Sequence, residues 1–533
     1  VPNAGSILQQ VTPVTPPPPS STDTGLTIER AGGAKIPPGV SFMVTALHLK
    51  GNTLFDTQTL HALVEDAEGK SLTLAQLEEL AARITEFYHA RGYPLARAIV
   101  PAQTIHEGVV EIEIIEARYG DIRLDNSSRV RDTLLAATLS PLQGGQMVEQ
   151  RDLDRALLLL SDIPGVVVKA TLQPGEAVAT SDLLVETMAT AAVTGNVTVS
   201  NFGSNYTGNA RIGATVNWNN PLHYGDVLTV SGLSSGNDLT NYGRVAYESL
   251  LNGQGTRLGG AYSGLHYVLG GSLSALDGHG TAEVGSLWLK HPFLRSRSAN
   301  LYGQIEYDHL QLRDHYDVSG IQIDRHLDNW TASLAGDLRD ALWAGAITTW
   351  NLAWTAGHLG FDNEAARLVD AATVNSAGGF SHPDANLVHL HAQPPKDSLY
   401  LAFSGQWAST NLDSSQKMVA GGPYTVRAYA LGAVSGDTGY LGTAEYRRDL
   451  GAVWQGQLEG VLFVDSQHVT INKNPWVAGT NSATLSGVGT GLNWEESGGW
   501  SARLYVAAPV GPIPVLVGDT SSARAWVQLD RRF

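Results

Sequence analysis

Apolar positions follow one rhythm in residues 41–189 and another from about Ala191 to the end of the chain. In the first part helical and strand patterns take turns. Leu77, Leu80, Ala81, Ile84, Phe87 and Tyr88 recur three and four apart, Thr73 and Gln76 precede them with capping-box spacing, and Gly92 follows, which predicts a helix bounded at both ends. Val109–Ile115 alternates as Val-Val-Glu-Ile-Glu-Ile-Ile and predicts a strand. The layout repeats from Tyr119. Asp121-Ile122-Arg123-Leu124 opens it, Leu153, Ala156, Leu157 and Leu160 line a helix stopped by Pro164-Gly165, and residues 166–168 and 183–185 supply closing strands. Two consecutive α+β modules are predicted, at 39–118 and 119–190.

Beyond residue 191 the helical period disappears and strict alternation takes over. Ala210, Ile212, Ala214, Val216 and Trp218 oppose Arg211, Gly213, Thr215 and Asn217, and Leu301, Ile305 and Tyr307 oppose Gln304, Glu306 and Asp308. A soluble sandwich alternates as well, so connection lengths decide. Alternate links are short turns, at 219–225, 251–255, 339–345, 449–453 and 495–499, whereas the intervening ones are longer, the longest being a polar stretch at 358–397. Short turns at one end and long loops at the other predict an outer-membrane antiparallel β-barrel of about sixteen strands at 191–533, its last strand ending on the aromatic Phe533.

Composition agrees with this class. Charged residues make up 16% of the 533, while there are 58 glycines, 12 tryptophans and 18 tyrosines, a balance that favours a sheet with many turns and an interfacial aromatic belt. No apolar run of about 18 residues is present, so a helical span is not expected, and a mean hydropathy of −0.07 suits a barrel that hides its apolar face in alternate positions. The absence of cysteine removes disulfides, thiolate metal sites and a Cys nucleophile. A net charge of −17 argues against nucleic acid as a partner. The chain begins with Val1 rather than Met, consistent with a processed protein.

Residues 1–38 carry Asn3-Ala4-Gly5-Ser6-Ile7-Leu8-Gln9-Gln10 and then prolines at Pro13, Pro16 to Pro19, Pro37 and Pro38. This reads either as a short helix on an extended linker or as a disordered tail.

One loop carries the chemistry. Gly421-Gly422-Pro423-Tyr424-Thr425-Val426-Arg427-Ala428-Tyr429 sets an arginine in a glycine-bounded, aromatic-rich turn, and the strand Val461-Leu462-Phe463-Val464-Asp465 follows about forty residues later. Parity places Trp454, Leu458, Leu462 and Val464 towards lipid, so Gln455, Gln457, Glu459, Phe463 and Asp465 point inward. A guanidinium held in a lumen needs a bidentate acceptor, which makes Asp465 the expected partner of Arg427; the alternative is a solvated loop arginine.

These residues resemble the two-partner secretion transporters, relatives of the BamA-type outer-membrane assembly proteins, over essentially the whole chain. Gly51-Asn52, the Tyr88 to Tyr93 run and Pro101-Ala102-Gln103 look like a first POTRA domain; Gly120-Asp121-Ile122, Asn126-Ser127-Ser128 and Asp162-Ile163-Pro164-Gly165-Val166 look like a second. Thr425-Val426-Arg427-Ala428-Tyr429 is similar to the family's Val-Arg-Gly-Tyr/Phe motif in barrel loop six, with Ala428 in place of the usual glycine, and Phe463-Val464-Asp465 to its inward strand motif. The resemblance implies a pore in the outer membrane of a Gram-negative bacterium, POTRA domains in the periplasm, and ATP-independent export of one large partner, whether adhesin, haemolysin or contact-dependent toxin. It further implies no enzymatic activity, no cofactor and no metal, and a monomer surrounded by outer-membrane lipid. It makes Val426, Arg427 and Tyr429 a loop anchor, Asp465 and Phe463 its partners on the strand, and Phe533 a signal to the assembly machinery that inserts barrels. The N-terminal segment resembles the family's plug helix, though Ala4–Val11 would measure only about 12 Å.

A BamA-like insertase shares the fold and the loop motif but typically has more periplasmic modules; a passive porin or outer-membrane enzyme needs neither modules nor loop arginine. His382, His389 and His391 lie in the 358–397 stretch and read as surface residues rather than metal ligands. The run Gly487-Val488-Gly489-Thr490-Gly491 imitates a nucleotide fingerprint, but no helix follows, and close packing on the sheet is the expected use.

Overall fold

Alternating sequence becomes a closed barrel. In the computed structural model, which describes residues 1–12, 20–28, 39–340, 345–393, 395–518 and 520–533, sixteen antiparallel strands pair in chain order from Val193–Ser200 to Arg524–Arg532. The prolines at 13, 16–19 and 37–38 lie outside the described residues. The seam joins the first strand to the last, with Val199 opposite Leu529, and Phe533 and Gly195 exchange backbone hydrogen bonds of 3.0 and 2.9 Å just beyond it. Outward positions such as Trp218, Leu287, Ile305, Trp330, Trp354 and Leu462 are each more than half exposed. So continuous an apolar exterior suits lipid and not water. Among the described residues no helix is long and apolar enough to cross a membrane.

The long-loop expectation for 358–397 is corrected. Most of that stretch is strand, Ala346–Phe361 pairing with Gly378–Gln393, and the connection between them holds a short helix, Glu364–Ala372, capped by Asn363. These strands exceed the ~10 residues that cross a bilayer, and where both faces of the excess meet water or a polar lumen the alternation fades from the sequence. His382, His389 and His391 therefore sit on a strand: His382 is buried against Asp384 at 2.8 Å, and His389 bonds the Thr348 hydroxyl. The longest connection is 407–437, which carries Arg427. The proposed turn at 449–453 is strand too, with the reversal at Trp454.

The described residues of 1–20 belong with the barrel, and those of 21–190 form a separate compact unit. Within the latter, the first module folds as expected: the helix Leu74–Ala90 carries the Thr73/Gln76 capping box, buries Leu77, Leu80, Ala81, Ile84 and Tyr88, and packs on a sheet whose strands run Ala46–Lys50, Val109–Ile115, Arg97–Ile99. Gln103 explains part of its motif. Its side-chain amide donates to the Glu111 carbonyl and accepts from the Glu111 N–H, both at 2.8 Å, and so stands in for a strand neighbour. The second module is a four-stranded sheet, and its outer strand Leu26–Ile28 comes from the N-terminal linker, parallel to Val166–Pro174. The described part of the linker is thus pinned at those three residues.

Glu116 is the buried ion of the first module, 7% exposed, accepting hydrogen bonds from the Thr53 and Leu54 amides, the Thr53 hydroxyl and the Tyr88 hydroxyl. Burial pushes its carboxyl up, but those four donors outweigh burial and hold it below the ordinary carboxylate value. A depressed carboxylate stabilises the fold fully above its unfolded pKa and ceases to do so as pH falls through the folded value. Glu116→Gln is expected to cost roughly 2 kcal/mol at neutral pH and to flatten the acid dependence. Hydrogen exchange of the 74–90 helix in the whole protein between pH 6 and pH 3 measures both.

Candidate functional site

The 407–437 connection folds back into the lumen as a hairpin. Its arms, Met418–Ala420 and Val434–Gly436, pair as a two-stranded ribbon, and the tip turns on Gly421 and Gly422, both at positive φ (88° and 125°). A side chain at Gly421 would put its Cβ 2.4 Å from the Ala430 carbonyl oxygen, so that turn needs glycine. Val426, Ala428 and Tyr429 are fully buried against inward residues of the wall, among them Leu441, Val461, Phe463 and Leu485.

This packing delivers Arg427 to a set of fixed acceptors. Its Nε and Nη2 donate to the two oxygens of Asp465 at 2.9 and 2.8 Å, and its Nη1 donates to Glu445 Oε1 at 2.7 Å. The Arg427 N–H reaches Asp465 as well (3.2 Å), and its carbonyl accepts from the Trp526 indole at 2.7 Å. Phe463 lies flat beneath the guanidinium, 3.4 Å from ring centroid to Cζ, and Tyr505 stands 5.2 Å away. Asp465 is further fixed by Thr443 across the strand pair, and the second oxygen of Glu445 takes Arg447 at 2.6 Å. Arg427, Asp465 and Glu445 are 5, 1 and 5% exposed. Two acids and two arginines leave the cluster neutral, and bidentate, stacked geometry offsets much of the desolvation.

The structure therefore brings Val426, Arg427, Tyr429, Phe463 and Asp465 into one place, with Phe533 apart at the seam. Sequence reading missed Glu445, although it shares inward parity with Leu441 and Thr443 on its strand. Ala428 needs no special backbone, since its φ stays negative. Room for its methyl comes from Gly487, where a Cβ would lie 2.5 Å from that of Ala428; at Gly489 and Gly491 added Cβ atoms would strike Phe463 and Tyr505 at 2.3 and 2.1 Å. The alternating glycines are thus the socket for the rings around Arg427.

A second cluster holds the helix Ala4–Val11 inside the barrel. Asn3 and Ser6 form a capping box, the Ala4 N–H donates to Asp314 Oδ1 at 2.6 Å, and Ile7 and Leu8 bury against Leu310, Leu312, Leu327, Phe380 and neighbours. Asp314 also accepts from Tyr267 and, at 2.6 Å, from Arg325, whose Nε donates to Asp413 at 2.6 Å. Ser414 and Ser415, on the 407–437 connection, bond Asn3 and Gln9, so the helix touches the same connection that carries Arg427. Inward parity with Leu310 and Leu327 was the signal that could have found Asp314 and Arg325.

The sequence matches two family patterns: a POTRA domain of ShlB type at residues 42–117, and the haemolysin secretion/activation protein family ShlB/FhaC/HecB at 179–494. The chain belongs to the ShlB/FhaC/HecB family. It is 29% identical over 458 residues to the heme/hemopexin transporter protein HuxB of Haemophilus influenzae, covering 85% of this chain and 81% of that protein. To the outer membrane transporter CdiB of Escherichia coli it is 23% identical, covering 88% and 80%. The solved structure of Escherichia coli CdiB superposes with a TM-score of 0.72 at 19% identity, over 95% of this chain and 93% of that one, which shows a shared fold. A ShlB/FhaC/HecB transporter lies in the outer membrane with its POTRA domain in the periplasm. Within the barrel, the turns near 223 and 253 lie at one end, and the connection bearing Arg427 starts from the other.

Proposed function

We propose that this transporter exports one large secreted protein, recognised by its periplasmic modules and moved without ATP, and that Arg427 with Asp465 and Glu445 anchors loop six in the conformation that export requires. The observation that carries this reading is the pairing of a filled lumen with a periplasmic module. A passive porin needs an open lumen, whereas this one holds an anchored hairpin and a helix that share Ser414 and Ser415. A gated pore with a recognition module fits selective export.

Residues 119–190 serve as a second POTRA domain, and their strand Arg118–Ser127, at the edge of its sheet and paired on the outer side at Arg118 and Tyr119, offers the backbone beyond them to an extended segment of the partner. Folding of the exported chain outside removes it from the unfolded pool and gives direction without nucleotide. The transporter works as a monomer in lipid, the helix Ala4–Val11 is its plug, and Phe533, closing the seam, is the signal read by the assembly machinery. No step calls for catalysis. Deletion of residues 41–189 is expected to leave channel conductance in planar bilayers and to abolish appearance of the partner in the medium; export surviving the deletion would remove the modules from recognition.

A further inference from the structure

Beside the C-terminal end of the helix Ala4–Val11 the lumen encloses a cavity of about 610 Å³. Five of the residues around it hold buried polar atoms that have no hydrogen-bond partner: Gln9 Oε1, Gln10 Oε1, Arg211 Nε and Nη2, Thr425 Oγ1 and Gln528 Oε1. Buried orphans are rare one at a time, and here residues of helix, wall and loop six that carry them line a common space.

Arg211 decides the chemistry. It is 6% exposed, spends Nη1 on the Gln10 carbonyl at 3.0 Å, and has no carboxylate partner among the described residues. The other charges at the cavity are engaged, Lys417 with Asp437 and Asp384 with His382, each at 2.8 Å. The vacant pair on Arg211, Nε and Nη2, is the edge with which Arg427 grips both oxygens of Asp465. We infer that Arg211 forms a binding site for a small oxyanion that also carries hydroxyl hydrogens, either hydrogen phosphate or a polyhydroxy carboxylate. Two parallel N–H groups fit two oxygens of such an anion. Each hydroxyl of the anion supplies a donor for one of the orphaned amide oxygens of Gln9, Gln10 and Gln528. Because Arg211 already holds the Gln10 carbonyl, the bound anion ties the wall to the end of the helix.

The test is equilibrium binding to the full chain in detergent micelles, at constant ionic strength, with inorganic phosphate, gluconate, sulfate and chloride as probes. Saturable binding of phosphate or gluconate at one site per chain is expected, with sulfate weaker for lack of hydrogens to donate and chloride inert. Which of the first two binds more tightly distinguishes the phosphate from the carboxylate source. Arg211→Gln is expected to weaken binding at least tenfold. Gln528→Glu leaves Arg211 in place, sets a repelling carboxylate in the cavity and is expected to do the same, so it decides if Arg211→Gln does not insert. No saturable binding, or affinity unchanged in the variant that inserts, overturns the site.

Discussion

Arg427→Ala is expected to lower export of the secreted partner at least tenfold while the barrel still inserts. Removing the guanidinium strands Asp465, 1% exposed, with Thr443 as its remaining side-chain donor, and leaves Glu445 to Arg447 alone. Breaking a buried pair by deleting one partner costs roughly 3–5 kcal/mol. A barrel closed by sixteen paired strands can bear that loss, because none of its ladder hydrogen bonds passes through the cluster side chains. The loop cannot bear it. Its tip is held by Arg427 and by the packing of Val426, Ala428 and Tyr429, and a buried carboxylate left without its cation favours water in the contact and so opposes that packing. Asp465→Ala should fail likewise, since it leaves Arg427 with Glu445 as its one acid partner. The double variant separates stability from function: with both charges gone, stability should partly recover, since coupled buried partners are not additive, whereas export should not. Arg427→Lys is expected to behave like alanine in export, because an ammonium keeps the charge but cannot bridge both Asp465 oxygens or lie flat on Phe463. Partner released to the medium, at matched amounts of heat-modifiable barrel, is the readout.

Freeing the helix Ala4–Val11 is expected to raise conductance severalfold. Gly5 is the sensitive point, since a Cβ there would lie 2.6 Å from Ser414 Oγ and 2.7 Å from the Ser415 nitrogen. Gly5→Leu should therefore expel the helix and leave the barrel wall untouched. Asp314→Ala attacks from the other side: the Ala4 N–H loses its acceptor and Arg325 keeps Asp413 as its one acid partner. Agreement between the two variants in planar bilayers would place the effect in the helix. Conductance equal to the native channel in both would show that the helix does not obstruct the pore.

Much of this architecture was legible because each part obeys a simple period. Helical spacing over 77–88 and strict alternation in strands such as Arg211–Asn219 reflect one buried face each, and they appear as elements of those types. The strands Ala346–Phe361 and Gly378–Gln393 were harder, because beyond the bilayer neither face need be apolar, and a strand with two polar faces looks like a loop. At the site, parity placed Asp465 inward before any coordinates. It could equally have placed Glu445, but the reading paired one cation with one acid, and a guanidinium with five donors serves two. Asp314 and Arg325 share the inward parity of Leu310 and Leu327, but their use was hidden: Asp314 holds a helix 310 residues away in sequence, and no local pattern records that contact.

The central claim is that Asp465 holds loop six inside the lumen through Arg427, and a single thiol tests it most directly. The chain contains no cysteine, and Val426 is fully buried and larger than the residue that would replace it. With Val426→Cys as the reporter, modification by a charged maleimide should be slow in the otherwise native transporter. It should accelerate at least tenfold when Asp465→Ala is added, in parallel with loss of export. Equal labelling rates with and without Asp465, at equal amounts of inserted barrel, would contradict the account.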